Sequence, residues 1–264
     1  MAWTIMTVLI LSCGSNTLQW EYRERIITQD INPYGIAPHN GEIAISGPDQ
    51  NLIMHISKEK IVYKEIKDYL EPRRLNYVDG ILIIPESKTG RIVLRNDGES
   101  YYYPLTVKAD APMAAVHKAS RIAIVDYNNH RIIYFDGEED KSFGGHGIND
   151  GQLKYPTDIQ LYENKWYVAD NMNRRIQVFD MDGNHLMSIG EETGIEQASG
   201  LYVYKGGIIL TDRKGAQVFW FDHDGNLLQI IDEGFETPSD ALVIGNTLYV
   251  TDEQGGFVGR LELD

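Results

Sequence analysis

One phrase recurs along this chain at a near-constant interval, and that recurrence limits its fold more than any single motif does. The segments around Asp126 and Asp170 share an Asp, an Asn three residues later, and Arg-Ile five and six residues later (Asn129, Arg131, Ile132; Asn173, Arg175, Ile176). Weaker copies lead from Asp212 to Gln217-Val218, from Asp252 to Phe257-Val258, from Glu86 to Arg91-Ile92 and from Ser46 to Asn51-Leu52. A second marker precedes each copy: a Pro followed two or three residues later by an aliphatic residue, at Pro33, Pro72, Pro112, Pro156 and Pro238, with Ala198 standing in once. The five steps from Pro33 to Pro238 average 41 residues. A period of that size is the signature of stacked or ring-forming repeats.

Each unit reads as four short strands separated by turn residues. In the fourth they are expected at residues 158–162, 165–169, 175–180 and 185–189, with Asp182-Gly183 turning the last hairpin. Asp-Gly suits a tight hairpin because both residues tolerate positive φ, and Asp97-Gly98 and Asp224-Gly225 hold the same place in units two and five. Strands such as Gln217-Val-Phe-Trp-Phe221 are too apolar for a sheet with one wet face. A four-stranded unit covered on both faces by its neighbours is a propeller blade. The sixth unit runs out one strand short at Asp264, while residues 19–27 form an orphan strand ahead of the first Pro marker. The expected fold is therefore all-β: a six-bladed β-propeller over residues 19–264, with the N-terminal strand completing the last blade.

Charge narrows the partners. Among 264 residues, 24 Lys and Arg face 39 Asp and Glu, a formal net charge of −15. Phosphate backbones are bound by clustered cations, so nucleic acid is excluded as the expected partner. The single cysteine, Cys13, leaves no internal disulfide to form. Residues 1–12 are uncharged and mostly apolar, too short a run to span a bilayer of roughly 30 Å as a helix but suited to a secretory leader. The string Ile10-Leu11-Ser12-Cys13-Gly14 resembles a bacterial lipobox. That resemblance implies a lipoprotein signal peptide over 1–12, lipidation of Cys13 and a tether over 13–18. The chain is then expected on a membrane through its lipid, in the bacterial cell envelope, facing the periplasm or exposed on the outer membrane.

The string Phe143-Gly-Gly-His-Gly-Ile-Asn-Asp-Gly-Gln-Leu-Lys-Tyr-Pro156, followed by Tyr167-Val-Ala-Asp170 and Asn173-Arg-Arg-Ile-Gln-Val-Phe179, closely resembles the NHL repeat. The resemblance is strong in units three and four, fair in five and degenerate elsewhere. It implies a six-bladed NHL-type propeller, similar to lipoproteins of Bacteroidetes-like bacteria. Such propellers serve as enzymes, RNA binders or protein-docking platforms, so the fold alone assigns no activity.

The Pro markers and the loops between second and third strands emerge on one face, here called the top. Residues after each Pro then ring the mouth of the central channel, and the expected ligand-binding set is Tyr34, Arg73, Arg74, Met113, Asp158, Ser199 and Asp240. A doubled guanidinium at Arg73 and Arg74 suits a carboxylate or phosphate. Asp158 and Asp240, two blades apart, are candidates for an acid–base pair or for a divalent ion at the channel mouth. The repeated Asp126, Arg131, Asp170 and Arg175 are expected to brace loops instead. The amidating lyases of the repeat family hold zinc through inward-pointing histidines, and none of the Pro-marked segments here contains one. No catalytic residues, no resident metal and no cofactor are assigned. The expected function is non-catalytic binding of a protein, peptide or glycan; the alternative is a metal-assisted hydrolase or lyase at the channel mouth.

Overall fold

The computed structural model describes residues 18–28, 31–57, 60–66, 69–118 and 121–264. Cys13, the leader and most of the tether lie outside the described residues. The described chain is all-β apart from a single 3-10 turn at Asn171–Asn173. Strand β1 (Trp20–Ile27) opens it. Blade one holds β2 (Ile36–His39), β3 (Glu42–Gly47), β4 (Leu52–Ser57) and β5 (Lys60–Ile66). Blade two holds β6 (Asn76–Val78), β7 (Ile81–Glu86), β8 (Arg91–Asn96) and β9 (Glu99–Tyr102). Blade three is β10 (Pro112–Lys118), β11 (Arg121–Asp126), β12 (Arg131–Phe135) and β13 (Asp140–Gly144); blade four is β14 (Asp158–Tyr162), β15 (Lys165–Asp170), β16 (Arg175–Phe179) and β17 (His185–Ile189). Blade five is β18 (Ala198–Tyr204), β19 (Gly207–Asp212), β20 (Gln217–Phe221) and β21 (Leu227–Ile231), and blade six is β22 (Pro238–Ile244), β23 (Thr247–Asp252) and β24 (Phe257–Leu263).

Each blade is a four-stranded antiparallel meander, and blade six takes its outermost strand from the other end of the chain. β1 pairs antiparallel with β24 from Trp20 opposite Leu263 to Ile27 opposite Phe257. The inner strands β2, β6, β10, β14, β18 and β22 each touch the next, and β22 touches β2, so the ring is closed. Side chains alternate across each strand, which sends them to opposite neighbours. Ile43 and Ile45 pack toward blade six, while Ala44 between them packs toward blade two. Buried apolar residues accordingly fall into six clusters, one at each blade interface. At about 1.5–3 kcal/mol for each fully buried Val, Leu, Ile or Phe, these interfaces supply most of the drive to close.

The repeated Asp has a physical explanation. Asp126, Asp170, Asp212 and Asp252 accept the backbone N–H of Asp110, Lys154, Glu196 and Glu236, at 2.7, 2.7, 2.7 and 2.6 Å. Each acceptor lies sixteen residues after its donor, so one carboxylate fastens the loop that enters its own blade. Arg131 and Arg175 pair with those carboxylates at 2.8 and 3.1 Å, and Arg175 reaches on to Glu191 at 2.7 Å.

Blade one departs from the expected alignment by one residue. Gly47 lies opposite Leu52 as Asp126 lies opposite Arg131, so Gly47, and not Ser46, holds the Asp position. Ser46 matches Thr211 and Thr251 instead. Their hydroxyls each accept an N–H of their own inner segment and donate to a carbonyl of the next blade, at Arg73, Ser239 and Tyr34 respectively. The outer turns also differ among themselves. Asp97-Gly98 has positive φ at both residues, as a two-residue turn requires. At Asp182 and Asp224 only the following Gly does, and the hairpin is a longer loop in which Asp180 or Asp222 accepts two backbone N–H groups.

Candidate functional site

Two residues after the marker, the six blades place Gly35, Arg74, Ala114, Asp158, Gly200 and Asp240 at one level of the channel. Charged residues come from blades two, four and six, and small ones from the blades between. The small residues are a steric necessity. A Cβ on Gly200 would stand 2.5 Å from the Cα of Asp240 and the carbonyl of Ser239, and one on Gly35 would stand 2.6 Å from the carbonyl of Arg73.

Arg74 fills this level and is only 1% exposed. Its Nη1 donates to Tyr34 Oη at 2.6 Å, and its Nη2 donates to Ser199 Oγ at 2.8 Å and to the Ser239 carbonyl at 3.0 Å. Its Nε lies 3.6 Å from Asp158 Oδ2, and its guanidinium stacks over the Tyr34 ring at 4.7 Å. The Arg74 backbone N–H donates to the Met113 carbonyl at 3.0 Å. One residue of blade two therefore touches every other blade.

Asp158 and Asp240 latch neighbouring blades in matching ways. Asp158 accepts the N–H of Ile159 and, across the interface, that of Leu201, both at 2.7 Å. Asp240 accepts those of Ala241 at 2.9 Å and Ile36 at 3.0 Å. Burial raises Asp158 to about 6 against the pull of Arg74. Burial, and then the charge of Asp158, raises Asp240 well above the ordinary carboxylate range. One guanidinium thus faces two buried carboxyls, and burial with mutual repulsion favours keeping one of them protonated. A cavity of about 20 Å³, the size of one water, lies beneath Asp240 and is lined by Asn76, Gln160 and Tyr202.

Of the residues singled out in the sequence, Tyr34, Arg74, Asp158, Ser199 and Asp240 come together, all buried, as the plug of the channel rather than its open rim. Met113 joins through its backbone, and its side chain packs in the cluster between blades three and four. Arg73 parts from Arg74. Its side chain lies 24% exposed at the top, donating to Ser87 Oγ at 2.9 Å and Glu71 Oε2 at 3.2 Å, with its guanidinium 5.4 Å from the centre of the Tyr34 ring.

Near Arg73, whose charge acts on the Tyr127 hydroxyl, runs an aromatic row. Tyr127 and Tyr155 have ring centres 5.0 Å apart, Tyr155 and His130 4.2 Å, and His130 and His146 4.6 Å. His130 Nδ1 accepts the N–H of Tyr155 at 3.0 Å, fixing that ring nitrogen as the acceptor. Burial and the neighbouring His146 lower the His130 pKa. Tyr127, Tyr155 and His130 are half-buried and His146 is exposed. Two positional signals marked these tyrosines: Tyr127 directly follows a repeated Asp, and Tyr155 directly precedes a Pro marker. Tyr127 also packs against the apolar cluster between blades three and four.

No known family model matches the chain. The protein brain tumor of Drosophila melanogaster is 32% identical over 120 residues, which cover 43% of this chain and 12% of that protein. The chain thus spans a small fraction of the length of this curated relative. A catalytically inactive histidine-to-alanine variant of virginiamycin B lyase from Staphylococcus aureus, solved with quinupristin, superposes with a TM-score of 0.67 at 19% identity, over 93% of this chain and 87% of that one. A gluconolactonase from Xanthomonas campestris superposes with a TM-score of 0.75 at 16% identity, over 91% and 89%. At such identities the likeness is one of fold, and the chain is a six-bladed β-propeller built of four-stranded sheets.

Proposed function

We propose that this chain is an NHL-type propeller lipoprotein that binds a protein, peptide or glycan of the bacterial cell envelope on its top face, without catalysis, and is held to a membrane by a lipid on Cys13. The observation that carries the binding reading is the row Tyr127, Tyr155, His130 and His146, with Arg73 near enough for its charge to act on Tyr127. Half-buried rings give large, rigid contact area at small entropic cost, and a guanidinium next to them supplies a directed charge. Arg73 is also free to change partners. Its pair with Glu71 is partly exposed, where such pairs contribute only about 0–1 kcal/mol, so a ligand carboxylate can displace it cheaply.

The rival reading, a metal-assisted hydrolase or lyase built on Asp158 and Asp240, has less support. Each of their four carboxylate oxygens already accepts a backbone N–H, and Arg74 supplies the positive charge that a metal would bring.

Binding of envelope peptides and glycans to immobilised protein tests the proposal. Arg73→Ala should weaken capture about tenfold or more with little change in melting temperature, and Tyr127→Ala should weaken it similarly at some loss of stability, because that ring also packs against the cluster between blades three and four; undiminished capture by both would remove the top face from consideration. Metal analysis of the same protein distinguishes the rival, which a stoichiometric divalent ion would favour. Mass spectrometry of the mature N-terminus tests the anchor separately, and a free Cys13 thiol would refute it.

A further inference from the structure

We propose that a second site, on the bottom face, binds an organic cation: an apolar, ring-bearing body with one ammonium group that pairs with Glu42. This site is independent of the top-face reading. A cavity of about 500 Å³ opens between the bottom hairpin turns of blades one, two and six, within the size range of small-molecule pockets. Ile56, Ile244, Tyr77 and Tyr249 give it apolar and aromatic walls, and His39 and Glu42 supply polar groups. Ile244 stands 44% exposed at its edge, an apolar side chain left in water at the mouth of an apolar cavity.

The charge of the wall selects the ligand. Glu42 is the one charged side chain among the described lining residues. Behind it, His39 and His55 lie with ring centres 5.0 Å apart, and His55 Nδ1 is 3.7 Å from Glu42 Oε2. Burial pushes both imidazoles down to about 4, helped by each other's proximity at His39 and by Arg95 at both. They are therefore neutral at pH 7 and do not repel a cation. Arg95 donates to Tyr69 Oη and is not part of the described wall.

His39 is 8% exposed, and its Nδ1 is buried without a hydrogen-bond partner among the described residues. A buried polar atom left in that state is destabilising. Tyr77 and Tyr249 line the same cavity, and aromatic walls favour an ammonium group over a carboxylate. At −15 overall, the protein's long-range field also draws cations and turns anions away.

Three probes of one shape but different charge test this on the full chain at pH 7: phenethylamine, phenethyl alcohol and phenylacetate, followed by calorimetry or ligand-observed NMR. Phenethylamine should bind roughly tenfold more tightly than the alcohol, because a charge-assisted hydrogen bond is about twice as strong as a neutral one, and phenylacetate most weakly. Glu42→Gln should reduce the amine to the level of the alcohol. Ile244→Ser, at an exposed position, should weaken amine and alcohol alike. Equal binding of the three probes, preference for phenylacetate, or no binding of the amine would overturn the proposal. Should Glu42→Gln fail to fold, the ranking of the probes on the unaltered protein decides alone.

Discussion

Asp240 and Asp158 show how one residue's surroundings can reverse the ordinary response of a carboxylate to pH. Surface carboxylates in folded proteins are usually stabilised as anions, so stability is lost as acid protonates them. Here burial raises Asp158 to about 6 and Asp240 well above the ordinary range. Both folded values exceed the unfolded value of about 3.9, so the native state keeps protons that the unfolded chain has released. The pair's contribution is complete below about pH 4. It falls as pH rises through about 6 toward the titration of Asp240. Asp240→Asn removes the group whose ionisation would bury a second charge, at the cost of about 1–3 kcal/mol for replacing a carboxyl oxygen that accepts a backbone N–H with an amide nitrogen that cannot. The mutant should be less stable than the parent at pH 5, and the gap should narrow by pH 8. Melting temperatures of both proteins across that range measure this, because the other titrating groups cancel in the difference. Parallel curves would show that Asp240 does not carry the proton.

At the scale of elements, β1 bears a load out of proportion to its length. Besides its ladder with β24, it delivers Trp20 into the interface between blades five and six, 3% exposed and edge-on to Trp220 with ring centres 6.0 Å apart. The Gln229 side chain accepts the Trp20 N–H at 2.8 Å and donates to its carbonyl at 2.9 Å, tying β1 to β21 as well. Trp20→Ala should cost about 3–5 kcal/mol, the range for a buried aromatic, whereas Gln229→Ala should cost about 1 kcal/mol; denaturant midpoints rank the two. That β1 would close blade six was legible in the sequence, because a repeat one strand short and an orphan strand elsewhere admit one pairing. The strands of blade four were legible to within a residue for the same reason. The one-residue slip at Ser46 was not, since a five-residue step to the next strand fits Ser46 and Gly47 equally and only the carboxylate distinguishes them. Arg74 was legible as special but not as buried. Its burial follows from Gly35, Ala114 and Gly200 standing in alternate blades, a pattern that emerges only when the six positions after the markers, on average 41 residues apart, are laid at one level. The bottom cavity was least legible, because its His39, Tyr77 and Tyr249 occupy unrelated positions in their repeats.

For the whole molecule, closure decides whether six blades behave as six units or one. A linear array of repeats gains stability from nearest neighbours alone and can unravel from either end. This ring has no free end. β22 touches β2, β1 is laced to β24, and Arg74 joins all six blades at the centre. Opening one interface therefore strips contacts from the hub and exposes two apolar faces together, so partly open rings should be scarcely populated. Trp20, Trp166 and Trp220 report on blades three to six through the interfaces they pack in, whereas far-ultraviolet circular dichroism averages over every strand. With Trp3 replaced by Phe, fluorescence and dichroism should give one midpoint and one slope in urea, as a single cooperative unit requires. Deleting residues 1–27 should pull the two curves apart by restoring a free edge at β24 and allowing blade six to open first. If the intact chain already shows two midpoints, blades one and two melt apart from the blades that the tryptophans report on, and the hub does not couple the ring.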